Sequence, residues 1–462
     1  MKARATQTLS RAAFVVALCH SATGFALDFR NTFENSMAFG KLDEKNDSVS
    51  SVKFSNAITS ELTVPIFGGW QLFTRWRLES DTRDLIEPNR PQDKSVRSNA
   101  SRRWHLNDYT SIGLREFYID GYISLGGSDN SFIRIGKQQV VWGQADGFRV
   151  LDAINPMNLR EFILEDNDDR RIPTWMVNAE LPAGNWWGSD WTAQVLWIPD
   201  TTYHQTPSLR DEARFAPKSP RFVPVPNANT PGNPQSAQII DADKPNRIIS
   251  DSDFGVRLNA FVNSWDISIN YLYHTLDRAA PYQPIENSAF IIEPQYERSH
   301  LLGTTFSSVF DNFTFRGEVA LHSARYYIAK DFSEFSEGVA ESPSVDTVFG
   351  LDFNGFSDTF ISGQLFLSHI TDFDDAITRD RTDTTVSLLI ERDFYNQTLT
   401  LGGQWFYNAN DGDGLLRFSA EYRWRSNIIV TAGLDSFYGK ERGLFGQFNQ
   451  QDQITLGFTV GF

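Results

Sequence analysis

The chain has 462 residues, 22% of them charged, and a formal net charge of −16, an acidic balance that argues against a nucleic-acid partner. Aromatic residues reach 14% although the mean hydropathy is only −0.36, and no run has the ~20 consecutive apolar residues of a membrane-spanning helix. A membrane β-barrel reconciles these properties, because only every second strand residue has to face lipid.

In chain order, Lys2, Arg4 and Arg11 precede the apolar run 12–19 and then small residues up to Ala26. That order is a secretory signal peptide with cleavage expected after Ala26, leaving 27–462 as one outer-membrane barrel. Cys19 is the single cysteine, and Leu18 stands before it where a lipoprotein signal calls for a small residue. The thiol is therefore expected to leave with the signal, and with it any disulfide or thiolate chemistry. Loss of the three bases takes the formal charge from −16 to −19.

Period-two segments of about ten residues then recur, as a barrel wall requires. The predicted strands are 27–38, 50–64, 68–80, 111–125, 130–138, 173–181, 190–198, 253–262, 264–276, 296–309, 312–326, 346–355, 357–370, 383–392, 396–409, 414–424, 427–438 and 452–462. They number eighteen, or sixteen without 130–138 and 173–181, where the alternation is weakest. Tight turns such as 65–69, 126–129 and 426–427 alternate with long connections at 81–110, 139–172, 199–252, 277–295, 327–345 and 371–382. Short periplasmic turns and long outer loops are the bacterial arrangement. The expected fold class is all-β, a transmembrane antiparallel barrel of about eighteen strands with long extracellular loops, one of them folded into the lumen.

Strand phase assigns the lumen. Arg75, Arg77, Arg134, Arg257, Arg316, Arg417 and Arg423 point inward with Glu79, Glu116, Asp120, Glu318 and Glu421, because a charge facing lipid costs several kcal/mol at the midplane. Seven bases against five acids make a mixed, slightly basic wall. It reads either as Arg–carboxylate bracing or as a hydrated pore that favours an anionic group.

Two connections stand out. In 139–172, Asn155 followed by Pro156 is an N-cap with proline at the first helical position, which predicts a short helix near 156–164 with Leu159, Phe162 and Ile163 on one side. That side needs cover, and the barrel interior is nearest. The loop is therefore expected to fold inward as a constriction carrying Trp142, Asp146, Phe148, Arg149, Asp152, Asn155, Pro156, Leu159, Arg160, Glu161 and Phe162, with Trp142, Phe148, Leu159 and Phe162 as a greasy lining. The alternative is an outer loop packed on its neighbours. The 199–252 connection holds Pro217, Pro220, Pro224, Pro226, Pro231, Pro234 and Pro245 and has no periodicity, so it reads as an extended outer loop. At the end of the chain, Ile454, Leu456, Phe458, Val460 and Phe462 alternate with polar or small residues. Five apolar residues on one face with a terminal Phe resemble the assembly signal of outer-membrane barrels; the alternative is a sheet-edge strand of a soluble periplasmic protein. The partners implied are the barrel assembly machinery, outer-membrane lipid and lipopolysaccharide.

The motifs Gly136-Lys-Gln138, Trp142-Gly-x-x-Asp-Gly147, Val150-Leu-Asp-x-Ile-Asn-Pro-x-Asn-Leu-Arg-Glu161 and Arg170-Arg-Ile-Pro-Thr-Trp-Met176 resemble the signature of a bacterial outer-membrane family of unknown function. The likeness is confined to about 132–180; elsewhere only barrel alternation is shared. Members are often encoded beside an RND-type (MMPL-like) exporter and a periplasmic protein with a lipoprotein-carrier-like fold. The resemblance therefore implies those two partners and a channel or transport component for a small hydrophobic or lipid-like solute. The Gly-x-Gln opening is also similar to alginate-export-type porins.

A lipid hydrolase would need Ser and His adjacent on the outer surface, with a third group orienting the His. His369 beside Ser368 does not qualify, since neighbours in a strand face opposite sides. No catalytic residue, metal site or cofactor is expected, although Asp166, Asp168 and Asp169, or Asp372, Asp374 and Asp375, could hold Ca²⁺ through hard oxygens. A structural or adhesion barrel would be favoured by a fully blocked lumen.

Overall fold

The computed structural model describes residues 27–43, 46–81, 104–107, 109–125, 128–207, 214–224, 233–240, 242, 244–245, 247–286 and 289–462. The expected signal peptide and cleavage point lie outside the described residues, as does most of the 81–110 connection.

The alternating segments form strands β1 (Asp28–Asp43), β2 (Asn46–Pro65), β3 (Gln71–Asp81), β4 (Trp104–Asn107), β5 (Thr110–Leu125), β6 (Ser128–Gln138), β7 (Thr174–Trp186), β8 (Ser189–Ile198), β9 (Asn233–Ile239), β10 (Asp253–Val262) and β11 (Trp265–Thr275). They continue as β12 (Ala280–Tyr282), β13 (Ile285–Glu286), β14 (Ala289–Gln295), β15 (Arg298–Phe310), β16 (Phe313–Ile328), β17 (Val339–Phe356), β18 (Thr359–Ile370), β19 (Thr382–Phe394), β20 (Leu399–Asn408), β21 (Asp413–Arg425), β22 (Ile428–Tyr438) and β23 (Gln453–Gly461). Eighteen of them pair antiparallel into a closed barrel. Both segments of weakest alternation are among them, paired to each other from Phe132↔Glu180 to Gln138↔Thr174.

Closure joins β1 to β23, from Thr32↔Gly461 to Gly40↔Gln453. Beyond that ladder Asn31 and Phe462 exchange both backbone hydrogen bonds at 3.0 Å, and the Phe33 and Phe458 rings meet at 5.7 Å. A closed sheet leaves no unpaired edge, which is what a barrel in lipid requires. Leu302, Leu321, Leu351, Leu365, Leu388, Leu401, Leu416, Leu434 and Leu456 remain exposed on outward phases of β15–β23, and Ile58, Ile119, Ile135, Trp197, Phe254 and Ile269 on β2, β5, β6, β8, β10 and β11. An apolar band of this extent is the surface a hydrocarbon layer covers.

The long connections depart from their sequence reading. No helix spans 156–164; residues 160–163 form a turn, Phe162 has φ 55°, and the described helix is the single turn Asn167–Arg170. The helix loses because Asn155 does not cap it, and because Met157 and Asn158 enter bridges with Arg171 and Gln205, which hold this backbone extended. Nor is 199–252 simply an extended outer loop. Within it β9 runs parallel to β14, beside the short pairs of β14 with β12 and β13, and residues 214–224 fold over the barrel mouth.

Candidate functional site

The 139–172 loop crosses the inside of the barrel and is fixed at both ends. Asn155 is fully buried at its root. Its Oδ1 accepts the Val140 N–H at 2.7 Å, and its Nδ2 donates to the Gln138 and Ile172 carbonyls and to Thr174 Oγ1. The Arg171 guanidinium donates to Asp152 at 2.8 Å, and Arg149 donates to the Asn155 carbonyl. Beyond this root Trp142, 1% exposed, donates its indole N–H to Gln194 at 2.7 Å. It lies over Gly255, and Leu151 over Gly303, where a wall side chain would collide with either.

Glu318 accepts the amides of Gln144, Ala145 and Leu151, so one inward carboxylate holds three loop N–H groups. Asp146 pairs with Arg316. The apolar half of the loop is thus stowed against β8, β10, β11 and β15–β18, as one cluster of Val140, Trp142, Val150, Leu151 and Ile154 with the wall.

The second half, 158–170, faces the opposite wall across a cavity of about 470 Å³. The loop side contributes Asn158, Glu161, Leu164, Glu165, Asp166 and Asp169, and the wall side Lys53, Arg77, Glu79, Arg115, Glu391, Arg417 and Asp435. Lys53 Nζ pairs with Glu161 at 2.6 Å and Glu165 at 3.5 Å. Arg417 pairs with Asp435 at 2.9 Å and donates to the Ile163 and Leu164 carbonyls, while Arg115 donates to the carbonyls of Asp169 and Arg171. Arg115 reaches the chamber because the β3–β5 register shifts between Arg75 and Trp76. That bulge turns Arg115 and Glu116 inward together, which strict alternation forbids. The lining carries seven acids (Glu79, Glu161, Glu165, Asp166, Asp169, Glu391, Asp435) and four bases (Lys53, Arg77, Arg115, Arg417), an excess of three negative charges.

The chamber is open toward the short turns, where the inner-face residues Glu421 and Arg423 are exposed. At the long-loop end it is roofed. Ile163 and Leu164 pack with Phe215, Phe406, Leu415, Phe437, Phe445 and Phe448 in one buried cluster, with ring contacts of 4.9 Å from Phe162 to Phe448 and 5.6 Å from Phe215 to Phe448. Lys53, Arg160, Glu161, Arg214 and Phe215 line a second, small cavity of about 10 Å³ beside the roof, room for about one water. Asp413 at the outer end of β21 accepts the Phe445 and Gly446 amides at 2.7 Å each, and Gln447 accepts those of Lys218 and Ser219. These bonds tie the 439–452 connection down as a lid.

Of the wall residues read by phase, Arg77, Glu79 and Arg417 line the chamber. Arg75 bridges Glu61 and Glu116, Arg134 holds Asp120, and Arg316 and Glu318 bind the loop. Arg257 has a buried Nε with no hydrogen-bond partner. The slightly basic wall gives way to an acidic passage because the loop's own carboxylates complete the lining. The loop aromatics Trp142, Phe148 and Phe162 do not line the cavity. They pack on the wall and in the roof, since Gly255, Phe366 and the lid phenylalanines offer apolar cover that water does not.

Sequence reasoning missed Lys53, Arg115, Glu391, Asp413, Gly255 and Gly303. The two glycines, each interrupting a strand, were the one local sign that another group approaches the wall there. Among the described residues no three His, Cys, Asp or Glu are grouped so as to hold a metal ion; Asp168, one of the calcium candidates, is taken by Arg171. His369 shares a 2.7 Å hydrogen bond with Thr382 Oγ1, a hydroxyl–imidazole pair across β18 and β19.

Among solved structures the chain is similar to OccK2 (OpdF) of Pseudomonas aeruginosa in complex with glucuronate (11% identity over 95% of this chain and 99% of that one, TM-score 0.49). It is similar also to OccAB3 of Acinetobacter baumannii (10% identity, 94% and 99% covered, TM-score 0.48). A third is OmpF of Salmonella typhi in complex with daunomycin (9% identity, 95% and 98% covered, TM-score 0.42). No curated protein matches it. Residues 56–462 match the family described as a protein of unknown function, DUF1302, and the chain belongs to that family.

Proposed function

We propose that this member of the DUF1302 family is an outer-membrane channel for small hydrophilic solutes, with a preference for cations and a lid at its outer mouth. The observation that carries the reading is the chamber: about 470 Å³, open toward the short turns, with seven acids against four bases in its lining. Clustered charge of one sign between low-dielectric walls concentrates counter-ions and repels co-ions. A lipid-like solute, the cargo implied by the family resemblance, calls for an apolar lining, and here the loop aromatics are spent on the wall and the roof. A closed barrel with an exposed apolar band supports the outer-membrane location.

The test is the reversal potential of the purified protein in a planar bilayer under a KCl gradient. Cation over anion permeability is expected, and the combined variant Glu165→Gln, Asp166→Asn, Asp169→Asn, which removes the excess of three negative charges, should bring the ratio close to unity. Anion preference in the wild type, or a ratio unmoved by the variant, would overturn the reading. Selective uptake of a lipophilic tracer without ion conductance would return the lipid-like cargo to first place.

A further inference from the structure

The 247–251 turn, between β9 and β10, carries two adjacent large apolar residues in the open: Ile248 is 66% exposed and Ile249 83%. The turn is stiff. The Asp251 N–H donates to the Arg247 carbonyl at 3.0 Å, and the Arg247 N–H donates to Asp251 Oδ2 at 2.8 Å. Its position is fixed by Ser252, which donates from Oγ to the Ile249 carbonyl at 2.9 Å. The same hydroxyl accepts the Trp197 indole N–H at 3.1 Å, and the Ser252 carbonyl accepts from Arg298 at 3.1 Å.

Trp197 is an exposed residue of β8, and Arg298 lies over the Tyr273 ring at 4.8 Å. Trp197 is paired with Phe254, which is paired with Tyr273 in turn. These side chains are on outward phases, so the turn leans over the outside of the wall and not over its mouth. Height follows from the strand. Trp265, just above the short turn, and Tyr273 are eight residues apart, roughly 27 Å along the strand. At a tilt of ~40° that is about 20 Å of a ~25 Å apolar band. Tyr273 therefore stands near the upper margin of the band, among exposed Phe254, Tyr271 and Leu302, and the turn is tied to this level through Ser252, which bonds Trp197 and the Arg298 that covers the Tyr273 ring.

We propose that Ile248 and Ile249 are a lipid anchor: the turn dips its two side chains among the acyl chains of the outer leaflet and fixes the β8–β11 side of the barrel at that depth. The proposal rests on the membrane reading above and extends it to a loop that composition places in water.

The experiment uses residues 27–462, which contain no cysteine. Single cysteines replacing Ile248, Ile249, Leu302 (in the apolar band) and Glu334 (exposed in a long connection) are labelled with a nitroxide in phosphatidylcholine vesicles. Collisions with molecular oxygen and with a water-soluble nickel chelate are then compared. Labels at 248 and 249 should match the label at 302, favouring oxygen several-fold more than the label at 334 does. If 302 reads lipid while 248 and 249 read water, the anchor is wrong and the membrane reading stands; if 302 also reads water, the membrane reading itself fails. Spin–spin broadening at 248 and 249 would instead make the turn a contact between two copies, and would equally overturn the anchor.

Discussion

Asn155 shows how much one side chain can decide. It satisfies a buried amide and donates to three oxygens where the loop leaves and rejoins the wall. Asn155→Ala strands at least two buried polar groups, at about 1–3 kcal/mol each. A loss of about 3 kcal/mol in denaturant-midpoint measurements is expected, with a noisier channel; unchanged stability would mean that water replaces the amide. His204 supplies a pH dependence. Burial, then Arg149, Arg278 and His274, depress its imidazole well below the usual range, and its Nδ1 accepts the Met157 N–H at 3.1 Å. A histidine depressed in the folded state is protonated first in the unfolded one, so stability is lost as pH falls below about 6.5 toward the folded value. Buried Asp277 beside it, raised well above 3.8 by its burial, acts with the opposite sign and softens the effect above its own unfolded value. Thermal unfolding of the wild type should drop between pH 7.5 and 5.5, and the drop should shrink in His204→Gln, whose amide oxygen can still accept from Met157. Equal drops in both proteins would remove His204 from the account.

Among the elements, the loop and the lid do different work. The 139–172 loop is held by the wall through Trp142, Leu151, Glu318 and Arg316, whereas the 439–452 lid is held by two amide hydrogen bonds to Asp413, by the bonds of Gln447 and Gln451 with the 214–219 segment, and by the burial of Phe445 and Phe448 in the roof. Asp413→Asn weakens two amide contacts, each about 1.5–3 kcal/mol to a charged acceptor. It should raise the time spent open by about tenfold or more at unchanged single-channel conductance. Removing 148–166 should instead raise the conductance itself and admit larger hydrophilic solutes. If the two variants have indistinguishable single-channel records, lid and loop are not separate devices.

For the whole molecule, closure pairs β1 with β23, and Phe462 takes part in it. Phe462 and Asn31 exchange two backbone hydrogen bonds beyond the end of the β1–β23 ladder. Phe462 does not line the chamber, so its deletion should lower the folded, heat-modifiable fraction while leaving the ion selectivity of the assembled remainder intact. A shift in selectivity without an assembly defect would reverse that division.

Strand positions were legible because alternation is local: each of the eighteen wall strands has an apolar face that only lipid or a partner strand can cover, and even 130–138 followed this rule. The inward course of the loop was legible from Leu159, Phe162 and Ile163, which needed cover somewhere. Its conformation was not. Asn155-Pro156 carries the local signal of a helix start, yet bridges to Arg171 and Gln205, distant or on another segment, outweigh a few tenths of a kcal/mol per residue of helix propensity. The charge of the passage was hidden for the same reason. Phase assigns wall residues one strand at a time, but Arg115 enters through a bulge, and Glu165, Asp166 and Asp169 belong to a loop whose position depends on two glycines far along the chain. Periodicity thus determined the barrel, its closure and its lipid face by itself, since each strand needs only its own pattern. The tertiary structure alone decided which charges share the chamber, because that depends on where a loop without a repeat comes to rest.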